Sequence, residues 1–164
     1  MSLEYQFELM RAGQEMREKF AYFLLAAVGA GVGFGVTQTR EALLTVRLIP
    51  AFVALALWGV SFYCGCRYLH KSSVMKLTNA KMIGIYSGTD PHCGRDPERQ
   101  RIAAGVLQDD FDKNNSVAAS LYRWQLHMFL AGCGSFIIWH SWEIAFRSGI
   151  DLSIQSIMAR LGLL

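Results

Sequence analysis

Charge is what this sequence has least of. Only 18% of its 164 residues are Asp, Glu, Lys or Arg, against about a quarter in an ordinary soluble domain. The shortage is concentrated: residues 20–39, 48–66 and 124–142 contain no charged residue at all. Each run is close to the ~20 helical residues that cross a bilayer core. Three such runs in so short a chain exclude an ordinary soluble fold. They predict an all-α integral membrane protein with three transmembrane helices.

Other absences narrow the function. The first charged residues are Glu4 and Glu8 and the first apolar run begins only at Phe20, unlike the basic opening of a cleaved signal peptide; the first helix is expected to be retained. No nucleophile–base pair and no paired catalytic acids occur, so the chain is read as not an enzyme and as needing no cofactor. No Asp, Glu, Lys or Arg falls deep in a span, where proton relays and ion-coupled transporters usually carry one.

The basic residues are unevenly shared. Twelve of the sixteen Lys and Arg lie before the first span or between the second and third, and four lie on the opposite side. The positive-inside bias places the N-terminus and the long central segment in the cytoplasm of a bacterial inner (cytoplasmic) membrane, with the C-terminal tail outside. None of the four cysteines, Cys64, Cys66, Cys93 and Cys133, then faces an oxidising compartment, and no disulfide is expected.

The expected organisation is an amphipathic N-terminal helix (1–19), a transmembrane helical hairpin (20–69), a basic cytoplasmic module (70–123), a third transmembrane helix (124–146) and an amphipathic tail (147–164). Leu3, Phe7 and Met10 form the apolar stripe of the first segment. Residues 40–47 make the tight turn of the hairpin, and Pro50 falls near the start of the second helix. Within the module, Thr78 to Ile85 has little pattern. Asp96-Pro97-Glu98 reads as a helix start, with an N-cap, a proline at N1 and an acid in the first turn. That helix is expected to end at Lys113, where Asn114-Asn115-Ser116 breaks it before the last long helix. Ile150, Ile154, Ile157 and Leu161 give the tail an apolar face suited to the outer interface.

The stretch GAGVGFG, residues 29–35, admits three readings. A phosphate loop would need a strand-to-helix turn and a Gly-Lys-Ser or Gly-Lys-Thr to follow, and neither is present. Val32-Gly33-Phe34-Gly35 approaches the potassium-channel filter, but a filter needs a re-entrant loop between two spanning helices, and the run has length for one span only. Helix packing remains. Gly29 and Gly33 are four apart, as are Ala27, Gly31 and Gly35, and small residues at this spacing let backbones approach in lipid. Ser61 and Gly65 repeat the spacing on the second span. Two overlapping small faces are more than one hairpin needs, so a homo-oligomer is expected.

Candidate ligand sites are few. His70 and His127 are read as lying at similar depth and would be the pair for a metal or haem, though histidines among head groups and carbonyls are the commoner arrangement, and no metal is expected. Asp109, Asp110 and Asp112 fan out around a helix rather than converge. Arg95, Arg99 and Arg101 cluster at the Asp96 helix start, where arginines and helix amides together suit an anion such as a nucleotide.

The segments KFAYFLLAAVGAGVGFGVTQT and SFYCGCRYL resemble small bacterial inner-membrane proteins, a resemblance that brings no activity with it. In layout, a helix hairpin plus a small basic module resembles membrane effectors accompanying prokaryotic immune systems, some of which sense cyclic oligoadenylates. That resemblance implies an oligomer that perturbs the membrane when its cytoplasmic module binds an anionic ligand. The alternative is an accessory subunit anchoring a cytoplasmic protein. Membrane lipids are partners in either case, and duplex nucleic acid in neither.

Overall fold

The structure, a computed structural model, describes residues 3–40 and 48–160, with the backbone alone at 3, 4, 6, 7, 10, 147 and 149–160. It is all-helical: α1 (Leu3–Thr39), α2 (Ile49–Tyr86) and α3 (Pro97–Arg160). The expected turn at 41–47 and the side chains of Leu3, Phe7, Met10 and the tail isoleucines lie outside the described residues. Helices α1 and α2 are long and apolar enough to cross a membrane.

Each helix is longer than the segment assigned to it from sequence. No break separates 3–19 from the first apolar run, and α2 continues through Thr78 to Ile85 to end at Tyr86. At 38 residues α2 is about 57 Å long by the rise of an α-helix. Asn114-Asn115-Ser116 does not interrupt α3, contrary to expectation. Asn114 is engaged twice: its Nδ2 donates to the Asp110 carbonyl at 2.8 Å, and its Oδ1 accepts from Lys71 Nζ of α2 at 2.7 Å. Tertiary contact here overrides a weak helix preference.

The helix start at Asp96 forms as its sequence dictates. Its Oδ1 accepts from the amides of Glu98 at 3.0 Å and Arg99 at 3.4 Å. The preceding corner uses Gly88 and Gly94 at φ +68° and +55°, a region closed to most L-residues. Asp90 closes the turn by accepting from the amides of His92 and Cys93 at 2.8 and 3.1 Å. Those two amides hold its carboxyl below the ordinary carboxylate range.

Helices α2 and α3 pack antiparallel on a seven-residue repeat. On α2, Ala54, Ser61, Tyr68, Met75 and Met82 recur every seventh position and are buried, as are Ala51, Trp58, Gly65 and Ser72 on an adjacent row. On α3, Ala104, Ala118, Gln125, Gly132 and Trp139 keep the same period and are buried, with half-buried Phe111 completing it. Such a period keeps one seam facing its partner along long helices. The register is constant. Ser135 meets Pro50, Phe129 meets Trp58, Gln125 meets Ser61 and Asn114 meets Lys71.

Two aromatic clusters lie along this seam. Tyr122 packs on Tyr68 and on Phe20 of α1. Towards the other end, Phe136 touches Phe34, Trp58, Trp139 and His140. Helix α1 covers the apolar part of the hairpin with Ala21, Leu24 and Val28.

With Gly65, Gly132 is one of two glycines at the closest approaches. A Cβ there would lie 2.5 Å from both Cδ1 and Nε1 of Trp58 and 3.2 Å from the Ala54 carbonyl, whereas one on Gly134 would meet nothing within 4 Å. Gly132→Ala is therefore expected to destabilise the hairpin by about 1–3 kcal/mol, the usual cost of overpacking, and Gly134→Ala to leave it unchanged. Thermal unfolding followed by circular dichroism in detergent checks the pair. Equal effects would mean that the seam is looser than described.

Candidate functional site

Where the three helices meet, a buried polar node replaces the apolar seam. Gln125 has no exposed surface. Its Nε2 donates to the Ala21 carbonyl of α1 at 3.3 Å, and its own backbone carbonyl accepts from Ser61 Oγ of α2 at 2.8 Å. Its Oε1 is buried without a partner. Gly65 makes room for this amide: a Cβ at 65 would lie 2.5 Å from Gln125 Nε2 and 2.9 Å from Leu25 Cδ2. Ser61 and Gly65 thus serve α3 first and α1 second.

Two further side-chain ties cross from α2 to α3, from Trp58 Nε1 to the Phe129 carbonyl at 3.3 Å and from Ser135 Oγ to the Pro50 carbonyl at 2.8 Å. Each ends on a backbone oxygen and involves no ionised group.

Beyond the node the polar contacts become charged. Glu18 of α1 accepts from Ser72 Oγ at 2.5 Å and pairs with Lys76 Nζ at 2.6 Å. Next to this contact a cleft of about 570 Å³ opens between α1 and the hairpin, with Met75 and Phe111 among its walls and Arg11, Gln14, Glu15 and Asn79 around it. Arg11 is paired with Glu15 at 3.4 Å on the exposed surface. A second, shallower groove of about 350 Å³ on α3 is lined by Ser120, Arg123, Trp124 and His127.

The sequence candidates fall as follows. Gly31 and Gly35 face inward: a Cβ would touch the Trp58 ring at 3.3 Å from the first and Leu55 Cδ2 at 3.2 Å from the second. Ala27 is half-buried on the same side. Gly29 and Gly33 have open space where a Cβ would be. His70 and His127 are both exposed, and they are not level. Gln125 is level with Ser61, so His127 lies near residue 59, and His70 sits about 16 Å further along α2 by the helical rise. The two do not converge on a common ligand. Among the described residues no group of three or more His, Cys, Asp or Glu could hold a metal ion, and all four cysteines are free.

Arg95, Arg99 and Arg101 are exposed at the start of α3. Arg99 is paired with the capping Asp96 at 3.3 Å, and Asp96 also takes the amides of Glu98 and Arg99, so the helix end carries its own carboxylate. Arg95 lies over Gly88, its Cγ 3.1 Å from where a Cβ would be. Asp109, Asp110 and Asp112 are exposed and do not converge.

Sequence reasoning missed Gln125 as the centre of the node, although a polar side chain inside an apolar run usually faces the interior of a helix bundle. It also missed Glu18 as a tie between helices. No protein family, curated protein or solved structure matches the chain.

The spare oxygen of Gln125 makes a direct prediction. Gln125→Leu removes one interhelical hydrogen bond together with one unsatisfied acceptor, and is expected to change stability by no more than about 1 kcal/mol. Gln125→Glu puts an ionisable group in the same fully buried site and is expected to cost more than the Leu change, about 3 kcal/mol where it stays ionised. Denaturation of both variants in the same detergent checks the order. A Leu variant as damaged as the Glu variant would show that the amide is fully satisfied.

Proposed function

We propose that the chain is a non-enzymatic membrane protein with three spans, whose α2–α3 hairpin continues out of the bilayer as a stalk and holds a cytoplasmic protein at the membrane. One observation carries the reading: the hairpin keeps one register from the apolar belt into a charged segment, and that segment still exposes large apolar side chains.

The belt supports the spans. Phe23, Phe34, Phe52, Val60, Leu130, Ile137 and Ile138 are exposed on all three helices, far more apolar surface than a soluble monomer leaves uncovered. On α3, exposed Trp124 and Trp142 are about 27 Å apart by the helical rise, close to the ~30 Å of a hydrocarbon core, and interfacial tryptophans sit at those two levels. Helix α3 is less apolar than the others because its first part is charged and its apolar run also carries Gln125, His127, Ser135 and His140. Beyond Trp124 the hairpin carries Lys76, Lys81, Arg99 and Arg101, and among them Leu77, Ile83, Tyr86, Ile102 and Val106 are exposed. Charged residues do not share a hydrocarbon core with these side chains, so a protein surface suits them. The lysine and arginine bias supports a stalk on the cytoplasmic side of a bacterial inner membrane.

Alkaline carbonate extraction should leave the wild type in the membrane pellet, and reporter fusions after Lys81 and after Ser148 should lie on opposite sides. Ile83→Lys combined with Ile102→Lys should remain membrane-bound but lose a stoichiometric partner that co-purifies with the wild type. Release by carbonate would refute the spans, and a partner that survives the double substitution would refute the stalk.

A second reading, a homo-oligomeric effector that perturbs the membrane on binding an anion at Arg95, Arg99 and Arg101, is favoured by the open space at Gly29 and Gly33. Gly33→Leu would block that face without touching the fold, whereas Gly31→Leu would strike Trp58 of the same chain. On this reading crosslinked wild type runs above 18.4 kDa, Gly33→Leu runs as a monomer, and induction collapses a membrane-potential dye signal. A harmless monomer leaves the anchor alone.

A further inference from the structure

The groove on α3 lined by Ser120, Arg123, Trp124 and His127 has no part in packing the three helices. Its four residues follow the i, i+3, i+4, i+7 spacing that puts them on one helix face. None of them is acidic, and among the described residues Arg123 makes no ion pair. The Arg123 carbonyl lies 2.7 Å from His127 Nδ1. A carbonyl only accepts, so Nδ1 carries a proton and the ring is fixed by that bond. The donors that the groove offers are the guanidinium of Arg123 and the hydroxyl of Ser120, with the His127 ring held beside them.

The height of the groove identifies the ligand. Gln125, next to Trp124, bonds to Ala21, at the start of the charge-free run of α1. Exposed Tyr22 and Tyr63 lie at this level, with Arg17, Lys19 and Arg67 just beyond it in sequence. Aromatic side chains giving way to cations is the profile of a membrane–water interface, where lipid phosphates lie.

We infer that this groove binds the phosphate of an anionic phospholipid head group. Arg123 holds the phosphate oxygens, Ser120 donates from one side, the His127 ring bounds the site, and Trp124 covers the glycerol region. The inference rests on the membrane reading above, and goes beyond it in assigning a specific site. The guanidinium fixes the ligand class as phosphate, and the interface fixes its source as lipid rather than solution.

The test reconstitutes the full chain in nanodiscs of mixed phosphatidylglycerol and phosphatidylcholine and counts retained lipids by native mass spectrometry after ejection. Wild type should retain phosphatidylglycerol in preference to phosphatidylcholine. Arg123→Gln should cut that preference about fivefold, as expected for one interfacial cation, and Ser120→Ala should lower it, while Lys81→Gln, on the stalk, should not. Helical content by circular dichroism confirms that the variants fold. Equal retention of the two lipids by the wild type, or a preference untouched in both variants, overturns the site. Millimolar inorganic phosphate that removes the preference also overturns it, because the source is then soluble. Carbonate extraction of the same strain separates the two claims: a chain that resists extraction yet shows no preference loses the lipid site and keeps its spans.

Discussion

The Trp58 indole can reach the Phe129 carbonyl only because residue 132 has no side chain. That contact sets how closely α2 and α3 approach, and most of the structure follows from the distance. With the backbones this near, Ser61 and Ser135 reach carbonyls of the opposite helix, and the Gln125 amide fits against Gly65. Helix α1 then finds a groove shaped by Leu55, Trp58 and Phe136, into which Gly31 and Gly35 settle. On the membrane reading proposed above, apolar side chains gain little by leaving lipid, so close packing and hydrogen bonds do the associating. Each such bond contributes only about 0.6–2 kcal/mol. A fixed register therefore needs several along the seam, and several are present.

The polar contacts are also graded along the axis. Inside the apolar belt every interhelical tie joins a neutral donor to a backbone carbonyl, which needs no burial of charge. At Glu18, Ser72 and Lys76, just past the belt, ionised groups take over, and Lys71 reaches Asn114 at the same end. One seam thus passes from hydrocarbon-compatible to water-compatible chemistry without changing register. Such a continuous hairpin can fix a soluble surface at a set distance from a membrane.

Much of this was open to sequence reading, for identifiable reasons. The charge-free runs and the Asp96-Pro97 helix start are local signals, and local physics decides them. The seven-residue seam was hidden because Ala, Ser, Gly and Gln occupy it where leucine would announce a coiled coil. Of the glycines at 29–35 read as packing surface, Gly31 and Gly35 face inward and Gly29 and Gly33 meet nothing; which ones do so depends on where Trp58 sits, and that is a tertiary fact. Asn114 looked like a helix breaker because its partner, Lys71, is 43 residues away. The histidines looked level because depth was judged from span ends, whereas the register between Ser61 and Gln125 sets it.

Disulfide trapping in native membranes tests the central claim, a single register held through the belt and the stalk. In a background free of the four native cysteines, Lys71→Cys should couple to Asn114→Cys and Pro50→Cys to Ser135→Cys. Moving one partner by a full repeat, to Leu107→Cys or Met128→Cys, should abolish coupling. Equal coupling at the native and shifted positions, or coupling in the stalk pair but not in the belt pair, would contradict a continuous hairpin.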